Sequence, residues 1–164
     1  MNVSKIDQAL IDQVSQKAKA APRLRTNHNF HQPEDQVQRM LNAIEPSSYV
    51  RPHRHLDPAK IEVFLCLQGL GAAVIFDERG SVSDVCPLAP FLGQWGVDVP
   101  VGTFHTILSF ESNSVFYEIK PGPFIPIKDS DFAPWAPAEN TPEAKVYLEE
   151  LVLLAKGHLG WLER

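Results

Sequence analysis

Apolar positions at the start of the chain recur at helical spacing: Ile6, Leu10, Val14 and Ala18 form one stripe that runs up to Pro22. Ser4 precedes them as an N-cap with Asp7 at the acidic third position, so the pattern predicts a helix over Lys5–Ala20. From Val37 to Ile119 the pattern shortens to β-type runs. These are Val37–Ile44, Tyr49–His55, Ile61–Gln68, Ala72–Asp77, Val82–Leu88, Gln94–Val99, His105–Phe110 and Ser114–Lys120. Glu45-Pro46-Ser47-Ser48, Asp77-Glu78-Arg79-Gly80 and Glu111-Ser112-Asn113 separate neighbours as hairpin or corner turns. About eight closely spaced strands predict a mostly β protein, a sandwich or a barrel, over residues 37–120.

Residues 121–137 carry too many prolines for regular structure, and Phe124, Ile125, Phe132 and Trp135 are expected to anchor them to the barrel wall. Thr141-Pro142-Glu143 then opens a C-terminal helix over residues 142–156: an N-cap, a proline at the first position and an acid at the positive end of the dipole. No internal repeat interrupts this order, and 164 residues suit one domain with a substantial core. Proline stands out in the composition, with 14 in the chain and most from Pro87 onward, which favours short strands and ordered loops over a helical bundle.

The formal net charge of -5 argues against nucleic acid or an anionic membrane as the main partner. The charged residues of the first twenty positions argue against a signal peptide, and no apolar run approaches the length of a bilayer span. A cytoplasmic location is expected. Cys66 and Cys86 make no disulfide framework and read as reduced thiols, with Cys66 a small core residue.

The chemistry concentrates in four residues. His53 and His55 are two apart, so on a strand both imidazoles face the same way. Glu62 opens the next run, and an antiparallel neighbour can set its carboxylate beside them. His105 follows a turn, Pro100-Val101-Gly102-Thr103-Phe104, that delivers a fourth group from a later strand. Three imidazoles and a carboxylate suit one divalent cation (Zn, Fe, Mn or Ni) with coordination positions left open. A lone His-x-His pair is more often hydrogen-bonded core or surface, so the weight lies in order and flanks. The loop Leu56–Lys60 widens the gap before Glu62 and offers Asp57 as a rival carboxylate.

These segments resemble the two cupin motifs. The first reads Ser47, His53, His55, Glu62 and Gly69, and the second Pro100, Gly102, His105 and Ser109. Ser47 and Gln94 stand where the motifs carry glycine, and Ser109 where they carry asparagine. A longer stretch, from Arg25 to Trp135, is similar to the WbuC-type cupin metalloproteins of bacterial surface-polysaccharide gene clusters. Its carriers are Arg25-Thr26-Asn27-His28-Asn29-Phe30-His31, Val37-Gln38-Arg39-Met40, Tyr49-Val50-Arg51-Pro52-His53-Arg54-His55, Lys120-Pro121-Gly122-Pro123-Phe124 and Phe132-Ala133-Pro134-Trp135. The resemblance implies a double-stranded β-helix (jelly-roll) barrel flanked by an N-terminal and a C-terminal helix. It also implies a bound metal, a link to sugar chemistry and pairing into a homodimer.

Strand parity then nominates neighbours of the metal. Arg51 shares the face of His53 and His55, and Arg39 lies on a strand whose other face carries Gln38, Met40 and Asn42. Either arginine reads as a fork for a substrate carboxylate or phosphate, or as a salt bridge at the rim. Tyr117 and Ile119 share one face of the last strand, Glu118 and Lys120 the other; Tyr117 is a candidate proton donor or a packed ring. Asn27 and His28 lie in a polar stretch that reads as a lid over the barrel mouth, with His28 a second candidate acid or base. The expected ligand is a carbohydrate or an acidic metabolite. It would be either turned over as by an isomerase, epimerase, lyase or dioxygenase, or simply held.

Overall fold

Alternation along the strands sorts the side chains into one interior and two outer faces, and a helix packs on part of each outer face. In the computed structural model, which describes residues 3–161, the order is α1 (Gln8–Ala20), β1 (Arg25–Asn29), β2 (Val37–Ile44), β3 (Glu62–Gln68), β4 (Gly71–Phe76), β5 (Val82–Leu88), β6 (Gly96–Val99), β7 (Phe104–Ser109), β8 (Ser114–Pro121) and α2 (Pro142–His158). The strands form two antiparallel sheets, β1-β2-β8-β3-β6 and β5-β4-β7. Non-sequential neighbours within each sheet give the jelly-roll barrel of the cupin fold, as the sequence predicts.

Leu41 and Ala43 of β2 and Val115 and Tyr117 of β8 face outward and pack on Ile11, Val14 and Ala18 of α1. Ala72, Val74 and Phe76 of β4 and Phe104 and Leu108 of β7 face the other way, against Leu148, Leu151 and Ala155 of α2. Between the sheets, Ile44, Phe64, Cys66, Ala73, Leu88, Ile107 and Phe116 fill the barrel. Each buried aliphatic or aromatic side chain contributes roughly 1.5–3 kcal/mol from loss of contact with water. These three clusters, with a smaller one of Leu70, Ala89 and Trp161, hold the sheets in register.

Local chemistry explains most element ends. Asp7 caps α1 by accepting from the Leu10 amide at 3.1 Å, so the helix begins at Gln8 and not at Lys5. The predicted Ser4 cap is corrected for that reason: Asp7 is the residue whose carboxylate reaches a free amide. Thr141 caps α2 as expected, accepting from the Ala144 amide, but the helix runs on to His158, past Gly157. Asp77 Oδ1 accepts from the amides of Arg79 and Ser81 and closes the β4–β5 hairpin. At the corner where the chain leaves one sheet for the other, Gly69 has φ +85°, and a Cβ there would collide with Ser114 Oγ.

Three expectations are revised. Residues 25–29 form β1, paired with β2, and not a lid. Tyr49–His55 is not a regular strand: only His53 bridges, to His105 on one side and Phe132 on the other. Pro52 has no amide to continue the ladder. In the proline-rich segment Phe132 and Trp135 do anchor the chain, Trp135 against Phe76 and Phe104, but Phe124 is 56% exposed and Ile125 is exposed with it. Among the described residues no helix is long and apolar enough to cross a membrane.

Candidate metal centre

The inward face of β8 changes character along its length, from Phe116 to Glu118 to Lys120, and so divides the barrel into an apolar half and a polar half. The register sets Glu62 of β3 across from Lys120, one step beyond the Phe64–Glu118 pair. From the opposite sheet, β7 turns His105 inward while its neighbours Phe104 and Thr106 face out. The turn before β7 is closed by Gly102, at φ +73°. His53 is held to β7 by reciprocal amide–carbonyl bonds with His105, at 3.0 and 2.9 Å. His55 follows two residues later on the same side, its ring 5.3 Å from that of His53.

Three of the four predicted ligands, His53, His55 and Glu62, therefore meet, and His105 joins them through its contact with Glu62. Ligand atoms of His53, His55 and Glu62 lie within 4.8 Å of one another. Glu62 Oε1 stands 3.1 Å from His55 Nε2 and Glu62 Oε2 stands 2.8 Å from His105 Nε2, with Glu62 and His105 each only 2% exposed. Asp57, the rival carboxylate, is on the surface and paired with Lys128 at 2.7 Å.

The imidazoles are oriented as metal ligands are. His53 Nδ1 lies 3.0 Å from the carbonyl of Arg51, and His105 Nδ1 lies 2.9 Å from that of Thr103. Each Nδ1–H donates there, which leaves Nε2 as a bare lone pair aimed inward. His55 Nε2, His105 Nε2 and Glu62 Oε2 are buried without a hydrogen-bond partner. At such short range the nitrogen and the carboxylate oxygen share either a proton or a metal ion, and the donor set of imidazoles and a carboxylate fits a divalent metal.

Electrostatics differ between the imidazoles: burial opposes a charge on His105, yet its contact with Glu62 prevails and raises its pKa above the ordinary value, whereas His53 moves down. Burial, with His105 second, pushes the His53 imidazole down to about 3, so it stays neutral. Burial alone would raise the Glu62 carboxyl, but its contacts with His105, His55 and Lys120 prevail and hold it well below the usual range.

A cavity of about 160 Å³ opens beside these ligands. Its wall includes Arg25, Asn27, Asn42, Glu118 and Lys120 as well as His53, Glu62 and His105. Lys120 Nζ sits between two carboxylates, 3.0 Å from Glu62 Oε1 and 2.7 Å from Glu118 Oε1. Glu118 also accepts from Asn42 Nδ2. Burial raises the Glu118 carboxyl above its ordinary value. Burial opposes the charge on Lys120, yet Glu118 and Glu62 together raise its pKa.

Of the other nominated residues the cavity receives only Asn27. Arg39 lies on the outer side of β2, beside Asp35 and the Phe30 carbonyl. Arg51 stacks over the Phe132 ring at 4.9 Å and donates to the Ala133 carbonyl. His28 and Tyr117 both pack around Phe30 on the side of α1. Sequence reasoning passed over Arg25, Asn42, Glu118 and Lys120. The signal for the last two was present in the alternation of β8, whose polar face turns inward.

Comparison with characterised proteins gives no match. Among solved structures the chain is similar to TT1209 of Thermus thermophilus, at 16% identity over 74% of this chain and 97% of that one, with a TM-score of 0.52. It is also matched by the conserved SPY1581 protein of unknown function from Streptococcus pyogenes, at 12% identity over 76% of this chain and 93% of that one (TM-score 0.49). KdgF from a Halomonas species matches at 16% identity over 67% and 86% (TM-score 0.46). At such identities the likeness is one of fold. Residues 6–88, half of the chain, match the family model described as a domain of unknown function, DUF6016, and the protein belongs to that family.

Proposed function

We propose that this cupin holds one divalent metal through His53, His55, Glu62 and His105 and is a metal-dependent enzyme for a small, oxygen-rich substrate such as a sugar derivative. The observation that carries the reading is the Glu118–Lys120 pair in the same cavity as the imidazoles. A purely structural metal is enclosed by its ligands and needs no proton-carrying groups beside it. A bound metal would supply Lewis-acid polarisation of substrate oxygens. Glu118, sequestered from water and bonded to Asn42 and Lys120, is placed to take or return a proton inside the cavity. Lys120 fixes Glu62 Oε1 and so keeps the carboxylate turned toward the histidines. The resemblance to WbuC-type proteins supports a place in bacterial surface-polysaccharide synthesis. The exposed Leu65, Leu67 and Trp95, on and beside β3 and β6 where α1 does not reach, support pairing into a homodimer.

The test is elemental analysis of natively purified protein, then incubation of the loaded protein with small keto-sugars and sugar acids. About one equivalent of a divalent metal and a new product are expected. Tight binding of one compound without product would replace the enzyme by a metal-assisted binding protein. Retention of metal by both His53→Ala and His105→Ala would refute the site itself.

A further inference from the structure

The charges around the cavity are countable, and without a metal they cancel. Arg25 is bonded to Glu139 at 2.6 Å, as well as to the Tyr49 carbonyl and Ser48 Oγ, so it adds nothing to the balance. Glu62 and Glu118 are matched by Lys120 and by Lys60, which lies outside the cavity wall, donates to the Pro123 carbonyl and feels the charges of both Lys120 and Glu62. The histidine ligands are neutral when they bind a metal. A divalent cation therefore leaves two positive charges uncompensated in a largely desolvated space. If Glu118 carries a proton the excess is greater, so the sign does not depend on its state. Uncompensated buried charge is strongly unfavourable, and an anion seated in the cavity removes that cost.

Shape narrows the anion. About 160 Å³ is well below the several hundred Å³ that drug-sized ligands occupy, which favours a molecule of a few carbon atoms over a nucleotide. Ile44, Val50, Phe64 and Ile107 give the rest of the wall an apolar surface that suits a carbon skeleton better than a hydrated inorganic ion. Lys120 has three N–H donors, gives one hydrogen bond to Glu62 and is ion-paired with Glu118, which leaves donor capacity for the occupant.

We propose that the cavity selects small organic acids, with the carboxylate drawn to the metal and to Lys120, and that neutral polyols of the same size are excluded. This rests on the metal-binding reading above and narrows its substrate class.

The experiment is calorimetric titration of the metal-loaded protein with three matched three-carbon probes, glycerate, propionate and glycerol, with metal content measured in each sample. Glycerate is expected to bind at least about tenfold tighter than glycerol, which shares its hydroxyls but has no charge. Propionate is expected to fall between them. Lys60→Gln, which removes a nearby positive charge without touching a ligand, should weaken glycerate severalfold and leave glycerol unchanged. Equal binding of glycerate and glycerol, no binding of any probe, or indifference of glycerate to Lys60→Gln would overturn the proposal. If metal is present in those samples, the metal reading survives and only the preference for acids is lost. Metal-free protein would remove both.

Discussion

Replacing Lys120 by methionine keeps the length and most of the packing of the side chain and deletes the one cation that lies between Glu62 and Glu118. At about 3 Å and an effective dielectric near 20, each ammonium–carboxylate contact is worth about 5 kcal/mol before desolvation is counted. Breaking a buried pair by removing one partner leaves about 3–5 kcal/mol of net destabilisation. With roughly 2–4 °C per kcal/mol for a domain of this size, Tm of the metal-free variant should fall by on the order of 10 °C. Two further results follow from the same account. Addition of a divalent metal should raise Tm more in Lys120→Met than in the unaltered protein, because the metal then replaces the positive charge that Lys120 held against Glu62. The double variant Glu118→Gln/Lys120→Met should be more stable than Lys120→Met alone, because it no longer buries an unmatched carboxylate. Thermal unfolding followed by circular dichroism, with and without chelator, reads all of these. A Tm change below about 2 °C for Lys120→Met, or strictly additive effects in the double variant, would refute the charge account of the cavity.

Other expectations concern the scaffold. Asp7→Ala should cost about 1 kcal/mol in urea unfolding through loss of the α1 cap, whereas Ser4→Ala should cost nothing measurable; the reverse order would make Ser4 the cap. Gly71→Ala should be severely destabilising, since a Cβ there would collide with the Leu108 carbonyl oxygen and lie 2.7 Å from the Phe116 ring; a melting curve like that of the unaltered protein would show that the two sheets can separate to accept it. Burial pushes the Cys66 thiol up to about 11, so at pH 8 it should react with a thiol reagent far more slowly than after denaturation. The thiolate is the disfavoured form, so its labelling should speed up as pH rises toward that value. Rapid labelling of both thiols in native protein at pH 8 would contradict the packing of Cys66 against Phe64 and Phe116.

The sequence made some elements legible because one physical rule dominates each. β2 and β5 have the predicted bounds, since in each a β-type mixture of apolar and polar residues is bounded by turn residues, Glu45-Pro46 after β2 and Gly80-Ser81 before β5. The three histidines and Glu62 are picked out by their resemblance to the cupin motifs, with spacing in support, and the structure groups His53, His55 and Glu62 with His105 in contact with Glu62. Parity was less informative about direction. It separates Tyr117 from Glu118, but which face looks inward is decided by the docking of α1 on Leu41, Val115 and Tyr117, and no local window contains that contact. The same gap placed Arg39, Arg51 and His28 at the cavity and left Arg25 and Asn42 unnoticed. β1 was hidden for a related reason. Its residues, Arg25-Thr26-Asn27-His28-Asn29, are polar on both faces, and only pairing with β2 makes them a strand.

The irregular segment that delivers His53 has a second consequence. It lies along the outer side of β7 and is itself flanked by the strap at residues 131–133, through Arg54 N–H to the Asp131 carbonyl and Ala133 N–H to the Pro52 carbonyl. Without it, β7 would present a row of open amides and carbonyls, the kind of edge onto which another chain's strand adds. Pro52 limits further pairing there, since it has no amide to offer. The segment that supplies an imidazole to the proposed metal site is thus also a guard against self-association. Variants that loosen residues 50–55 should be sought first among those that precipitate, not only among those that lose their metal.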